Sequence, residues 1–205
     1  TAADEIALEH GNCRRAIEIA MAAPETRDLA ADIAIALQDF WYPRSLYGEA
    51  TDTITALLRV RGEANDLRQM RLHSVAFKMT WLQDLTLARH HAREALRLAR
   101  DLVPPAEDPT RQGSLRRLAL VLNNVGLVEK ELGSIEAAEL ALSEALGIAT
   151  AMGDGVVENE IRLTLGLCAL ARGDDAAAVA QLTPALAAFE RAGDAQRAGT
   201  AAHTL

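Results

Sequence analysis

The sequence predicts an all-α solenoid of stacked helical hairpins on three observations. First, the residues from Leu118 to Asp154 reappear one lap of about 40 residues later. Gly126, Gly133, Ala137, Ala138, Leu142, Ala145, Leu146, Gly153 and Asp154 return as Gly166, Gly173, Ala177, Ala178, Leu182, Ala185, Leu186, Gly193 and Asp194. A fixed period of this length means stacked hairpins, because one hairpin cannot bury its apolar face alone. Second, apolar residues recur at helical spacing almost throughout, and alternating strand patterns are absent. Third, 50% of the 205 residues are hydrophobic but only 3% are aromatic. Alanine and leucine dominate, which suits closely packed helices because alanine costs no side-chain entropy.

A first helix is expected from about Ala3 to Ala22, with Ile6, Cys13, Ile17 and Ala20 or Met21 on one face. Pro24 ends it, Thr26 is placed to cap a second helix reaching Tyr42, and Pro43 breaks the chain. A third helix spans Tyr47 to Val60, closed by Gly62. A fourth runs from Asn65 to Leu82 and a fifth from Leu85 to Leu102. Pro104-Pro105-Ala106-Glu107-Asp108-Pro109 is the clearest loop, after which Thr110 or Ser114 starts a long helix ending at Leu132.

Gly133, Gly153, Gly173 and Gly193 punctuate the rest, each followed by a capping residue: Ser134, Asp154, Asp174 and Asp194. Pro184 should kink its helix. Gly126 and Gly166 fall inside helices, where glycine costs about 1 kcal/mol relative to alanine. They make sense if a partner helix crosses there, with Ala138 and Ala178 opposite and Leu142 and Leu182 beside them.

The whole chain, 1–205, reads as one solenoid of about five hairpins. Residues 1–62 form atypical N-terminal hairpins, 63–103 a degenerate repeat, 110–153 and 154–193 repeats, and 194–205 a truncated repeat. Its start at Thr1, and a third lap that stops at Leu205 (the match of Leu165), suggest a piece of a longer protein.

The net charge of −8 argues against a general nucleic-acid or anionic-membrane surface. Arg111, Arg116 and Arg117 form a small basic cluster that reads as a solvated helix face. Cys13 and Cys168 match no metal or redox spacing and sit in apolar surroundings, which points to reduced thiols in a reducing compartment. No run of 18 or more apolar residues lacks charges, so no membrane span is expected.

Leu122-Asn123-Asn124-Val125-Gly126, followed by Gly133, Ala138, Leu142, Ala145 and Leu146, resembles the tetratricopeptide repeat, which implies a right-handed superhelix of hairpins. The lap exceeds that family's usual length of about 34 and looks like the longer variety of kinesin light chains and bacterial signalling regulators. A degenerate copy aligns with Ala76, Ala88, Ala92, Ala95 and Leu96. Phe40-Trp41-Tyr42-Pro43-Arg44, with Glu49, Ile54, Leu57 and Leu58, resembles the aromatic–Arg–Glu stretch opening the repeats of multidomain regulators with a nucleotide-switch ATPase. The actinobacterial antibiotic-regulatory transcription factors are among these. Leu8-Glu9-His10-Gly11-Asn12-Cys13-Arg14-Arg15-Ala16-Ile17 resembles the segment that joins the ATPase part to those repeats. Ser45 and Ala50 stand where that group usually has glycine. The aromatic stretch reads equally as a plug capping the end of the solenoid.

Catalytic constellations are missing. No glycine-rich loop cradles phosphate, and the adjacent His90 and His91 cannot face the same way on a helix. His90 with Glu94 reads as a surface i,i+4 pair, and Asp174-Asp175 as helix-start residues. No catalytic residue, metal or cofactor is expected.

Binding residues follow from the repeat resemblance, whose groove positions fall on His73, Phe77 and Trp81 in the early lap. In the next they fall on Asn123, Leu127 and Lys130, with Asn124 beside them. In the last complete lap they fall on Leu163, Leu167 and Leu170, with Arg162 adjacent. Asn123 and Asn124 are the foremost candidates, since asparagine suits a helix interior poorly and a primary amide both donates to and accepts from a peptide backbone. In the kinesin-light-chain type of repeat a matching pair holds peptide ligands. Each could instead bond a neighbouring helix, and the three leucines could be core.

The resemblances imply a sensor or interaction domain of a cytoplasmic bacterial regulator that binds a protein, a peptide or a small effector. Its partners include other domains of its own chain, but neither nucleic acid nor membrane. The alternatives are an adaptor without a switch, or the helical portion of an enzyme such as a cyclase or kinase.

Overall fold

A computed structural model describes residues Ala2 to Thr204, with side chains from Glu9 onward. The expectations for Ile6 and Leu205, and the Leu8 side chain, lie outside the described residues. The chain packs as two units that divide between Leu102 and Val103, at the edge of the proline-rich loop.

In the first unit α1 (Ala2–Ala22) leads through a 3-10 turn (Pro24–Thr26) to α2 (Arg27–Ala36) and a short α3 (Gln38–Trp41). A second 3-10 turn (Tyr42–Arg44) precedes α4 (Tyr47–Arg61), and α5 (Leu67–Thr80) and α6 (Leu85–Asp101) form a hairpin. The second unit contains α7 (Arg111–Glu131), α8 (Ile135–Met152), α9 (Gly155–Ala171), α10 (Asp175–Ala192) and α11 (Ala195–Thr204). Here α7 pairs with α8, α9 with α10, and α11 begins the next layer on α10. Among the described residues there is no strand. The fold is an all-α array of helical hairpins, as in an α-solenoid.

Two expectations fail between Thr26 and Tyr42. Thr26 does not cap α2: its hydroxyl donates to the Ala20 and Ala23 carbonyls and ties the turn back onto α1. The single expected helix breaks at Leu37, after which Leu37, Phe40 and Trp41 are all buried. Phe40 and Trp41 are therefore core, packed with Ile17, Ile35, Ile54 and Leu57, while Tyr42 is left outside. Packing overrides the helical pattern locally. The turn closes on Ser45, whose φ of +56° makes it the one non-glycine residue in the left-handed region among those described.

The caps follow the sequence more closely. Asp154, Asp174 and Asp194 accept from the backbone N–H of Val157, Ala177 and Arg197. Asp66 and Asp84 cap α5 and α6 in the same way. Ser134 makes no side-chain cap bond. Gly133, Gly153, Gly173 and Gly193 all have positive φ, as a left-handed helix end requires. Pro184 does not end α10: it and Ala180, whose carbonyl loses its donor, both lie on an exposed side.

The intrahelical glycines set the closeness of the hairpins. A Cβ on Gly126 would lie 2.4 Å from Leu142 Cγ, and one on Gly166 would lie 2.5 Å from Leu182 Cγ. Each leucine thus sits directly on its glycine, and both leucines are fully buried. The register is symmetric. Gly126 and Leu142 each lie eight residues from Ser134 (134 − 126 and 142 − 134), as Gly166 and Leu182 do from Asp174. Ala76 and Ala92 hold the same positions about Asp84, so two methyl groups fill the space there.

Candidate functional site

In the second unit the candidate face is built on α7 and α9, which pack against each other. Asn123 is only 9% exposed, and its carbonyl oxygen Oδ1 is buried with no hydrogen-bond partner. Aligning the capping positions Asp84 and Ser134 suggests why. His73 then falls on Asn123 and His91 on Ala141 (73 + 50 and 91 + 50). In the earlier hairpin an imidazole stands at the facing position, whereas here it is alanine, which offers nothing to bond.

Asn124 and Leu127 are half-buried. Lys130 Nζ lies 2.6 Å from Glu131 Oε1, with its side chain largely covered. Arg162 donates to Glu158 Oε1 and, at 3.0 Å, to Gln181 Oε1 on α10, so its guanidinium is held along the α9–α10 seam. Leu163 and Leu170 pack against Ala169, Ala178 and Leu182, while Leu167 is half-buried. Cys168 is fully buried, and burial pushes its thiol up to about 11, out of reach of thiolate chemistry.

The basic cluster at the start of α7 is engaged internally. Arg111 bonds the Pro104 carbonyl, Arg116 bonds Asp154 at 2.8 Å, and Arg117 bonds Ser114 at 2.9 Å. The Val157 N–H, and then Arg116, hold the Asp154 carboxyl below the usual range.

In the first unit the expected groove residues on α5 are mostly turned inward. His73 is 8% exposed, Phe77 6% exposed, and Trp81 half-buried with its ring 5.5 Å from that of Phe77. His73 Nδ1 lies 3.0 Å from His91 Nδ1, so one imidazole N–H donates to the other ring's lone pair. This corrects His73 from an open-groove residue to a hairpin contact. The physical reason is again register, since His73 and His91 each lie nine residues from Leu82 in the turn (82 − 73 and 91 − 82). Burial, more than any neighbouring charge, lowers both rings to about 4.

The two segments that resemble the regulator group also meet in this unit. Glu49 Oε1 lies 2.7 Å from His10 Nε2 and accepts from the Trp41 indole N–H at 3.2 Å. The Phe40 ring lies 4.8 Å from the His10 ring and 4.3 Å from the Arg44 guanidinium. A cleft of about 520 Å³ between α1 and α4 is lined by Arg14, Glu18, Glu49 and Asp52. A second contact the sequence did not reveal is Arg61, whose side chain is 4% exposed and binds Asp28, Asp66 and Gln69 together. Among the described residues no group of three His, Cys, Asp or Glu is placed to hold a metal ion, and no helix is long and apolar enough to cross a membrane.

No family model and no curated protein matches the chain. Solved structures do. BtubC (BKLC) from P. vanneervenii superposes with a TM-score of 0.66 at 18% identity, covering 98% of this chain and 88% of that one. Aspartyl phosphate phosphatase F from Bacillus subtilis superposes with a TM-score of 0.69 at 15% identity, covering 87% of this chain. This chain spans 45% of the phosphatase's length. At such identities the likeness is one of fold: the chain is an all-α protein with a tetratricopeptide-like helical-repeat fold.

Proposed function

We propose that this chain is the protein- or peptide-binding repeat module of a cytoplasmic bacterial regulator, and that it carries out no chemistry itself. The observation that carries the reading is the orphaned carbonyl of Asn123. Leaving a buried acceptor unmet costs about 1–3 kcal/mol, a cost that a binding residue recovers when its ligand arrives. The Asn123 χ2 torsion is soft, so the amide can turn to meet a ligand. It then pairs with a peptide backbone, while Asn124 supplies a second amide beside it.

The helical-repeat fold supports a binding role, and the His10–Phe40–Trp41–Glu49 cluster supports the regulator setting. In that setting the partner biases an attached nucleotide switch because it binds one state more tightly than the other. The acidic balance and the internally engaged arginines favour a protein partner over nucleic acid.

The test is capture from bacterial lysate by this chain and by an Asn123→Ala/Asn124→Ala double variant, followed by mass spectrometry and a Kd for the recovered partner. A partner weakened at least tenfold by the double variant supports the reading. A partner held equally by both moves the site off these residues, and nucleotide turnover by the chain removes the claim that it does no chemistry.

A further inference from the structure

The α5–α6 hairpin is closed by a contact that is unusual for a helical repeat. Two buried imidazoles bond each other through their Nδ1 atoms at 3.0 Å, with ring centroids 5.3 Å apart. The bond needs one N–H and one lone pair. It forms when both rings are neutral, and it survives when one ring is protonated, because the other still accepts. With both protonated no acceptor is left, and two like charges face each other inside the hairpin.

We infer that the His73–His91 contact is a proton-sensitive latch, which holds α6 against α5 only while at least one of the two rings is neutral.

The surroundings fit a latch that opens on acidification. Glu94 favours protonation of His73, and His90 and Arg97 oppose it; His90 also opposes protonation of His91. These groups all lie on α6. On the other side α5 packs against α2 and α4, where Met79 and Leu72 lie in the apolar core. The buried residues within four positions of the two histidines on α5 and α6 include Ala76, Ala88, Ala92 and Ala95, whose side chains give a charged ring nothing to bond.

Histidine titrates near 6.5 in an unfolded chain, and these two fall to about 4 when folded. Between those values the unfolded chain holds more protons, so stability drops as pH falls through the window and is fully present above it. Because both rings take part, the opening takes up as many as two protons. The same hairpin carries Phe77 and Trp81, so its opening exposes an aromatic face.

The test compares urea unfolding of the chain from pH 7.5 to 4.0 with that of a His73→Leu/His91→Leu variant. The latch requires the wild-type unfolding constant to rise by about one to two decades more per pH unit than the variant's between pH 6 and 4.5. Equal slopes overturn it. Should the double variant fail to fold, the wild type alone decides through imidazole ¹⁵N shifts and amide exchange. At least one ring must stay neutral down to the pH at which α5 and α6 lose protection together. Protonation of both rings while protection stays intact refutes the latch.

Discussion

Gly126 and Leu142 interlock across α7 and α8 so closely that a methyl group on the glycine would lie 2.4 Å from the leucine Cγ. Leu142 is fully buried. Gly126→Ala should therefore destabilise the protein by about 1–3 kcal/mol through overpacking, despite a helix-propensity gain of about 1 kcal/mol. The Gly126→Ala/Leu142→Ala pair should cost less than the sum of its single changes, because Ala76 and Ala92 already occupy the matching positions in the α5–α6 hairpin. Urea denaturation of the four proteins measures this, and a stabilised Gly126→Ala would contradict it.

Asn123→Leu separates a binding role from a structural one. The matching residue of the next lap is Leu163, so leucine suits the position. Replacing an amide whose carbonyl is unmet should leave the free protein as stable or raise it by about 1 kcal/mol, while affinity for the captured partner falls. Calorimetric melting and a binding titration report the two effects. A clear loss of stability would mean that Asn123 has a partner inside the fold.

Glu49 is the shared acceptor for Trp41 and His10. Glu49→Ala leaves the fully buried indole N–H of Trp41 without its acceptor, at an expected cost of about 1–3 kcal/mol. Glu49→Gln keeps a carbonyl for Trp41 and should recover most of it. Tryptophan fluorescence during denaturation follows this directly, and equal stability of Glu49→Ala and wild type would sink the assignment.

Ser45 holds a φ of +56° in the turn before α4. A left-handed conformation costs about 1–2 kcal/mol for a residue with a Cβ, and glycine removes that cost while adding some unfolded-state entropy. Ser45→Gly should thus raise stability modestly, by up to about 1 kcal/mol. A melting temperature below that of wild type would show that the serine side chain has a role of its own.

Much of the second unit was legible because its repeat is written in local terms. Positive-φ glycines at helix ends, aspartate caps and a glycine-to-leucine spacing each leave a mark within a few residues, and the lap repeats it. The first unit was harder. The break at Leu37 depends on burial of Phe40 and Trp41 against α1 and α4, and no capping signal announces it. Thr26 had the right chemistry for a cap but found better acceptors on α1.

The candidate site shows the same division. Judged on its own helix, His90 read as the surface partner of Glu94, and nothing local marked a role for His91, which faces another way. The partner of His91 lies across the turn on another helix, so the bond to His73 depends on register between helices.

The sequence by itself determined the hairpin repeat, its aspartate caps and the places where helices touch, since these follow from backbone conformation and side-chain size at short range. Tertiary structure alone decided which polar groups are satisfied. His73 meets an imidazole, whereas Asn123 falls where α8 carries only alanine. A hydrogen bond needs two groups within about 3 Å, and whether the second is present depends on the side chain that the opposite helix presents at that level.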